Sequence, residues 1–424
     1  MTYVEFFVKD AIENICACLA HKPDRVVFLG AEKKKMERHI ARYKKIFEER
    51  NIDIDFAVPK SVTKNNLQTM VDILTQIVEE NDDCVFGLTG GEDLHLVAMG
   101  IVYERYKDTK NIQMHRFNLK NNTIVDCDMD GKTILEDTLP SLTVQENIRI
   151  YGGDVIYEYE KAGTTYQWEY TEDFVSDINT MWEICRETPR KWNTHIGIFA
   201  KAETLKKELD PLLYTKVKME DLKEQMDVTG VTLSTLKSLA RKLYFEGLIL
   251  EHKIDEEEFF VTYKDEQVKR CLTKAGQVLE MKVSILLMNA KDKKGNLIYN
   301  DVVNGVYIDW DGKLHENSDI PDTANEIDVL AMRGTIPIFI SCKNGKVPID
   351  ELFKLNSVAE QFGGRYAQKI LIAPGLYKNE LPQYEYFFQR AEDMHIRVID
   401  SIRHDVNKLS DEKLTKLFNN LWNL

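Results

Sequence analysis

Asp328 and Lys343 form the pattern in this chain that carries the most chemistry. Asn325-Glu326-Ile327-Asp328-Val329-Leu330 is followed by Ile338-Phe339-Ile340-Ser341-Cys342-Lys343. Both runs read as strands, joined by a tight turn at Arg333-Gly334-Thr335. Side chains alternate along a strand, so Glu326 and Asp328 are expected on one face, and Ser341 and Lys343 on one face of the next strand. An aspartate beside a strand-end lysine can hold a divalent cation. The lysine can then position a water or stabilise charge on a scissile phosphate. Glu280, in Gly276-Gln-Val-Leu-Glu280 on a predicted helix, adds a further acid. The candidate catalytic set is Lys343, Asp328, Glu280 and Glu326. The candidate metal ligands are Asp328, Glu280, Glu326 and the backbone carbonyl of Cys342. Magnesium or manganese suits such hard oxygen donors. A plain cross-strand ion pair between Asp328 and Lys343 is the simpler alternative. The strands are otherwise apolar, and polar groups are costly to bury there without purpose.

A second candidate lies in the N-terminal part. Cys84-Val-Phe-Gly-Leu88 reads as a strand that runs into Thr89-Gly90-Gly91-Glu92-Asp93 and then a helix. A glycine turn at a helix start offers backbone N–H groups to phosphates. Open α/β sheets bind ligands at these strand ends. Gly30-Ala31 and Pro59-Lys60-Ser61 end neighbouring strands, so Gly30, Lys60 and Ser61 are expected in the same cleft, with Lys60 or Lys33 able to meet a phosphate. The loop is neither a Walker motif nor GxGxxG, which argues against nucleoside triphosphate hydrolysis and dinucleotide binding.

The elements that must position these residues fall into three stretches. In residues 1–150, apolar runs at 25–30, 53–58, 84–88, 112–119 and 122–127 alternate with helical spacing over 33–50, 64–80 and 92–106, which predicts a Rossmann-like, mostly parallel sheet. Residues 151–273 hold a predicted helix at 171–185, a break at Thr188-Pro189-Arg190, and a winged-helix-like segment. That segment comprises helices at 219–226 and 231–243 and a hairpin from 247 to 263 around the acidic turn Asp255–Glu258. Lys237, Arg241 and Lys242 lie on its second helix. Residues 274–424 read as a second α/β domain, with helices at 276–288, 350–361 and 381–393 and strands at 304–310, 326–332, 335–342, 369–373 and 396–399.

The net charge of −14 argues against coating nucleic acid through bulk electrostatics, but not against a local basic groove. The seven cysteines are odd in number and scattered, and read as small buried residues of a reducing compartment. No apolar run is long enough to span a bilayer and no secretion signal is visible, so a cytoplasmic protein without membrane partners is expected. His115, His315 and His395 have no partners at metal-ligand spacing and read as surface or core histidines. Trp182, Trp192 and Tyr170 read as packing residues.

Helix glutamate, strand aspartate and strand-end lysine, in the order Glu280, Asp328, Lys343, resemble the PD-(D/E)xK nuclease superfamily. Gly345 and a helix from Asp350 match that superfamily's next element. The sequence departs at Ser341, where the motif carries its second acid; Glu326 is a candidate to compensate. With Val85-Phe-Gly-Leu-Thr-Gly-Gly91 at the other end, most of the chain resembles the CRISPR-associated Rossmann fold (CARF) effectors, closest to the ancillary nucleases of type III CRISPR systems. The resemblance implies a homodimer whose sensor domains bind a cyclic oligoadenylate, usually cyclic tetra-adenylate, through Thr89, Gly90, Gly91, Glu92, Gly30, Lys60 and Ser61. It implies that binding activates divalent-metal-dependent cleavage of DNA or RNA in antiviral defence. Two other readings stand beside it: a ligand-responsive DNA-binding regulator built on the winged helix, and a ring nuclease that degrades its own ligand.

Overall fold

The computed structural model describes residues 1–63, 65–119, 123–127, 131–135, 140–157, 163–206, 212–312, 324–376, 384–404 and 406–420. His315 and the first residues of the helix expected at 381–393 lie outside them.

The first sheet is built from β1 (Thr2–Phe6), β2 (Arg25–Gly30), β3 (Asp55–Phe56), β4 (Lys60–Ser61), β5 (Asp83–Gly87), β6 (Asn111–Asn118), β7 (Thr123–Asp126) and β8 (Thr133–Leu135). Helices α1 (Ala11–His21), α2 (Lys33–Glu49), α3 (Leu67–Glu80) and α4 (Asp93–Tyr106) are interleaved. The strand order is β3-β2-β1-β5-β6-β7-β8, with β4 on β2. The parallel pairs β1–β2, β1–β5 and β5–β6 form its centre. One face packs on α1 and α2, the other on α3 and α4. This is the doubly wound layout that strand–helix alternation predicts. Its central strand, β1, and the helix after it were not expected from the sequence.

Two histidines, His115 buried and His21 half-buried, sit beside β1. His115 Nδ1 lies 3.2 Å from His21 Nε2. Burial, and then the neighbouring His115, lower the pKa of His21 to about 4, and burial lowers that of His115. An unfolded histidine titrates near 6.5. The unfolded chain therefore takes up these protons first as pH falls, and stability present above about pH 6.5 is lost on the way to about 4. Melting temperature is expected to fall across that window, and less steeply in a His21→Gln/His115→Gln variant. Equal slopes in a pH series of thermal melts would contradict this.

After the first sheet come α5 (Val144–Tyr151) and β9 (Asp154–Val155). The middle of the chain forms α6 (Glu172–Glu187), α7 (Pro189–Leu205), β10 (Tyr214–Lys218), α8 (Met219–Gln225), α9 (Gly230–Phe245), β11 (Ile249–Ile254), β12 (Glu258–Tyr263) and α10 (Glu266–Thr273). The small sheet has the antiparallel order β10-β12-β11. Pro189 does break the chain, but as the first residue of α7, where its missing N–H costs nothing. Trp182 and Trp192 are buried in the core of this region, as expected of packing residues.

The remaining elements are α11 (Gln277–Met288), β13 (Asp301–Asp309), β14 (Ala324–Arg333), β15 (Ile336–Cys342), α12 (Asp350–Gly363), β16 (Gln368–Ala373), α13 (Tyr384–Asp393), β17 (Ile396–Asp400) and α14 (Asp411–Asn419). The sheet order is β17-β16-β15-β14-β13-β9, antiparallel from β9 to β15 and parallel from β15 to β17. One face shares a core with α11 and the middle of the chain. The other shares a core with α12, α5 and the α1–α2 face of the first sheet. The described cysteines form no disulfide with one another and are mostly buried. Among the described residues, no helix is long and apolar enough to cross a membrane.

Candidate active site and ligand cleft

Asp328 lies midway along β14, opposite Gly305 of β13, since Asn304 pairs with Val329 and Val306 with Ile327. Ile327 packs into the core shared with the first sheet, whereas Val329, two residues on, packs into the opposite core. Strict alternation would put both on one face. The break falls at Asp328, across from Gly305, whose φ of 60 is in the left-handed region that glycine enters freely. Gly305→Ala is expected to destabilise the chain by about 1–3 kcal/mol, the usual cost of such a conformation for a residue with a Cβ. An unchanged denaturant midpoint would contradict this.

Three donors converge on one oxygen of Asp328. The Cys342 amide donates to Oδ2 at 2.6 Å, Ser341 Oγ at 3.2 Å and Lys343 Nζ at 3.1 Å. No donor among the described residues reaches Oδ1. Ser341, where the resemblance leads one to expect an acid, thus acts as a donor that fixes the aspartate. Lys343 also lies 3.4 Å from Glu351 Oε2, in the first turn of α12. Burial works against its ammonium, but the Asp328 and Glu351 carboxylates outweigh that and hold its pKa above the usual lysine value. The lysine is charged and oriented from two sides, with its side chain 30% exposed.

Glu280 is buried beneath this pair, and its Oε2 has no hydrogen-bond partner. Its nearest cation is Lys274 Nζ, at 3.6 Å. Burial pushes its pKa up to about 8; Lys274 and Lys343 pull against that, and Asp328 and Glu326 add to it. Glu326 is tied differently from the other two acids. Lys274 Nζ lies 2.5 Å from its Oε1, and the Tyr307 hydroxyl donates to its Oε2 at 2.8 Å. Among the described residues, no three His, Cys, Asp or Glu side chains are gathered to hold one metal ion. The orphaned Glu280 Oε2 and the open Asp328 Oδ1 nevertheless fit a magnesium-type cation, which is commonly held by one or two carboxylates plus substrate phosphate. Glu351, Lys274 and Tyr307 were not anticipated. The Asp350-Glu351 start of the helix after Lys343 was the available signal for the first of them.

At the first sheet, Phe7, Lys9, Gly30, Lys35, Gly91 and His95 are among the residues around a cavity of about 230 Å3 at the strand ends. Glu92 also borders it. Lys9 and Lys35, rather than Lys60 or Lys33, are the basic residues on its wall. Lys60 and Ser61 pair beside it with Leu29 and Gly30. Thr89 Oγ1 accepts from the Phe117 amide at 2.9 Å. The Gly90 amide donates to buried Glu5 at 3.2 Å, and the Glu92 amide to His95 Nδ1 at 2.8 Å. The amides of Gly90 and Glu92 are thus already engaged within the protein, a use the glycine pattern does not reveal. Gly90 cannot be larger, because a Cβ there would sit 2.5 Å from the Phe6 carbonyl oxygen.

The fold is thus a mixed α/β assembly of several sheets, with a strand-end cleft in the first and a carboxylate–lysine cluster in the last. No protein-family model and no curated protein sequence matches the chain. Solved structures that match it over nearly its whole length include the following. One is protein VC1899 from Vibrio cholerae, at TM-score 0.71 and 16% identity, covering 98% of this chain and 97% of that one. Another is Can2 from Sulfobacillus thermosulfidooxidans, solved in complex with cyclic tetra-adenylate, at TM-score 0.62 and 17% identity, covering 99% and 97%. These likenesses establish the shared fold.

Proposed function

We propose that this chain is a nuclease of type III CRISPR defence, activated by cyclic oligoadenylate and dependent on magnesium or manganese. In this reading a CARF sensor domain and a PD-(D/E)xK-type nuclease domain are joined by a winged-helix spacer. The observation that carries it is the cluster of Asp328, Lys343 and orphaned Glu280, in a chain that shares its full-length fold with a protein solved on cyclic tetra-adenylate.

Asp328 and Glu280 would hold the cation. When bound, it supplies Lewis-acid charge and a water acidic enough to attack a phosphodiester. Ser341 and the Cys342 amide fix the Asp328 carboxylate, and Asp328 and Glu351 aim Lys343. Lys343 stabilises charge that develops on the phosphate.

For the sensor, cyclic tetra-adenylate is the activator and a second copy of the chain is the partner. A two-fold ring suits a two-fold interface. Leu94 and Val97, exposed on α4 just after Gly91 and Glu92, support an isologous contact beside the cleft. The winged-helix segment serves as a spacer rather than a DNA reader. Lysines beside its wing are already engaged by acids and not offered to phosphates: Lys223 by Glu256, and Lys216 and Lys253 by Glu258. Titration calorimetry with cyclic tetra-adenylate tests the sensor half. One ring per two chains is expected; one ring per chain, or no heat of binding, would overturn it.

A further inference from the structure

A cavity of about 300 Å3 opens beside the carboxylate–lysine cluster and is not used by the reading above. It shares a wall with the cluster. Glu326 and Lys274 line it, and so does Gly305, which faces Asp328 across the β13–β14 pair. Glu326 is two residues from Asp328, about 7 Å along a strand.

Its lining is aromatic and cationic. Tyr166, Trp168 and Tyr307 line the walls. The Arg270 guanidinium lies 4.0 Å from the Tyr166 ring centroid, and the Tyr166 and Trp168 rings are 4.8 Å apart. Trp168 is backed by Phe174, stacked at 5.7 Å. Polar groups are held rigidly below. Gln277 is 3% exposed, and its Nε2 donates to Asn304 Oδ1 at 2.7 Å. Asn304 Nδ2 donates in turn to Ser284 Oγ at 3.2 Å. That leaves Gln277 Oε1 without a donor among the described residues, on a side chain that lines the cavity. Aromatic faces, a guanidinium and an unclaimed amide oxygen are the groups that receive a nucleobase: stacking on the ring faces, with a hydrogen bond at the base edge. The volume is at the lower end for ligand pockets, about 300–1,000 Å3, which suits one base.

We propose that this cavity is a subsite for one unstacked base of the substrate strand, next to the phosphate presented to Lys343. The proposal rests on the nuclease reading. It places Tyr166, Arg270 and Gln277 in substrate binding. A base inside a duplex must leave its stack to enter, which costs a few kcal/mol, and an unpaired base enters with least penalty. The base is that of a polynucleotide chain; a free mononucleotide has the same ring chemistry, and the test separates the two.

The test uses the full-length chain with cyclic tetra-adenylate and manganese. First, the cut position in a labelled single-stranded oligonucleotide is mapped for the wild type. Single 2-aminopurine substitutions are then scanned along that oligonucleotide bound to Lys343→Ala. Quenching at one position adjacent to the cut is expected. Second, Tyr166→Ala and Arg270→Ala are each expected to raise KM about 5- to 100-fold, the loss of one stacking contact, with kcat, melting temperature and activator binding little changed. Tyr166→Phe should restore KM. An abasic residue at the quenched position should raise KM alike in the wild type and leave Tyr166→Ala unaffected. Uniform fluorescence along the strand, or unchanged KM in both alanine variants, overturns the subsite. Competition by adenosine monophosphate without any abasic effect assigns the cavity to free nucleotides and also overturns it. Lys343-dependent cleavage with a silent cavity leaves the nuclease reading standing. Cleavage that survives Lys343→Ala removes that reading, and the subsite with it.

Discussion

Lys343→Ala is expected to lower activator-dependent cleavage about 10²- to 10³-fold, or ~3–4 kcal/mol of transition-state stabilisation, the usual loss when one preorganised charge-stabilising group is removed. The size follows from its placement. The ammonium is held by Asp328 on one side and Glu351 on the other, so little reorganisation is needed when charge develops before it. A surface ion pair would behave otherwise, because such pairs contribute about 0–1 kcal/mol and their loss leaves activity intact. Folding and binding of cyclic tetra-adenylate should persist, since the strand-end cleft lies on a different sheet. Single-turnover cleavage beside calorimetry separates the two. Loss of both together would point to misfolding rather than chemistry.

Glu280→Gln is expected to abolish cleavage while stabilising the metal-free chain. A buried carboxylate whose Oε2 makes no hydrogen bond costs free energy, and here burial, against the pull of Lys274, lifts the pKa to about 8. The unfolded value is near 4.5, so between about pH 4.5 and 8 the folded chain holds the extra proton. Stability contributed by the protonated form is therefore complete below 4.5 and is lost as pH rises through 8. Glutamine keeps the shape and cannot ionise, which removes this slope. A divalent cation should act in the opposite sense, by compensating the buried charge. Manganese is expected to raise the melting temperature of the wild type at pH 8 and to leave Glu280→Gln unmoved. Equal shifts in both would take Glu280 out of the metal set.

Much of the fold was legible because burial leaves a periodic trace. Helices α2 and α3 and strand β5 lie close to where apolar spacing put them. β1 was missed because Glu5 stands inside a short, wholly buried strand, and α1 because Glu13 and Asn14 are buried in it. In both cases a polar residue inside the core masks the pattern. Glu5 is there to take the Gly90 amide, so the missed strand and the glycine loop are one structure. At the candidate site, the Asp328–Lys343 pair could be read because both lie on one hairpin. Lys274 and Tyr307 could not, because their approach to Glu326 depends on the β13–β14 register and on how α11 lies against it. The break in alternation at Asp328 is set by Gly305, more than 20 residues earlier, and strand parity on β14 alone gives no sign of it.

The central claim joins a nucleotide sensor to the Asp328–Lys343 centre, and one assay measures that union directly. Labelled DNA and RNA, single-stranded and duplex, are incubated with the full-length chain and manganese or magnesium, with and without cyclic tetra-adenylate. Cleavage of at least one substrate that rises many-fold with the ring, and vanishes on chelation of the metal, is the predicted result. Cleavage at the same rate without the ring, or none on any substrate with both metal and ring present, would contradict the account.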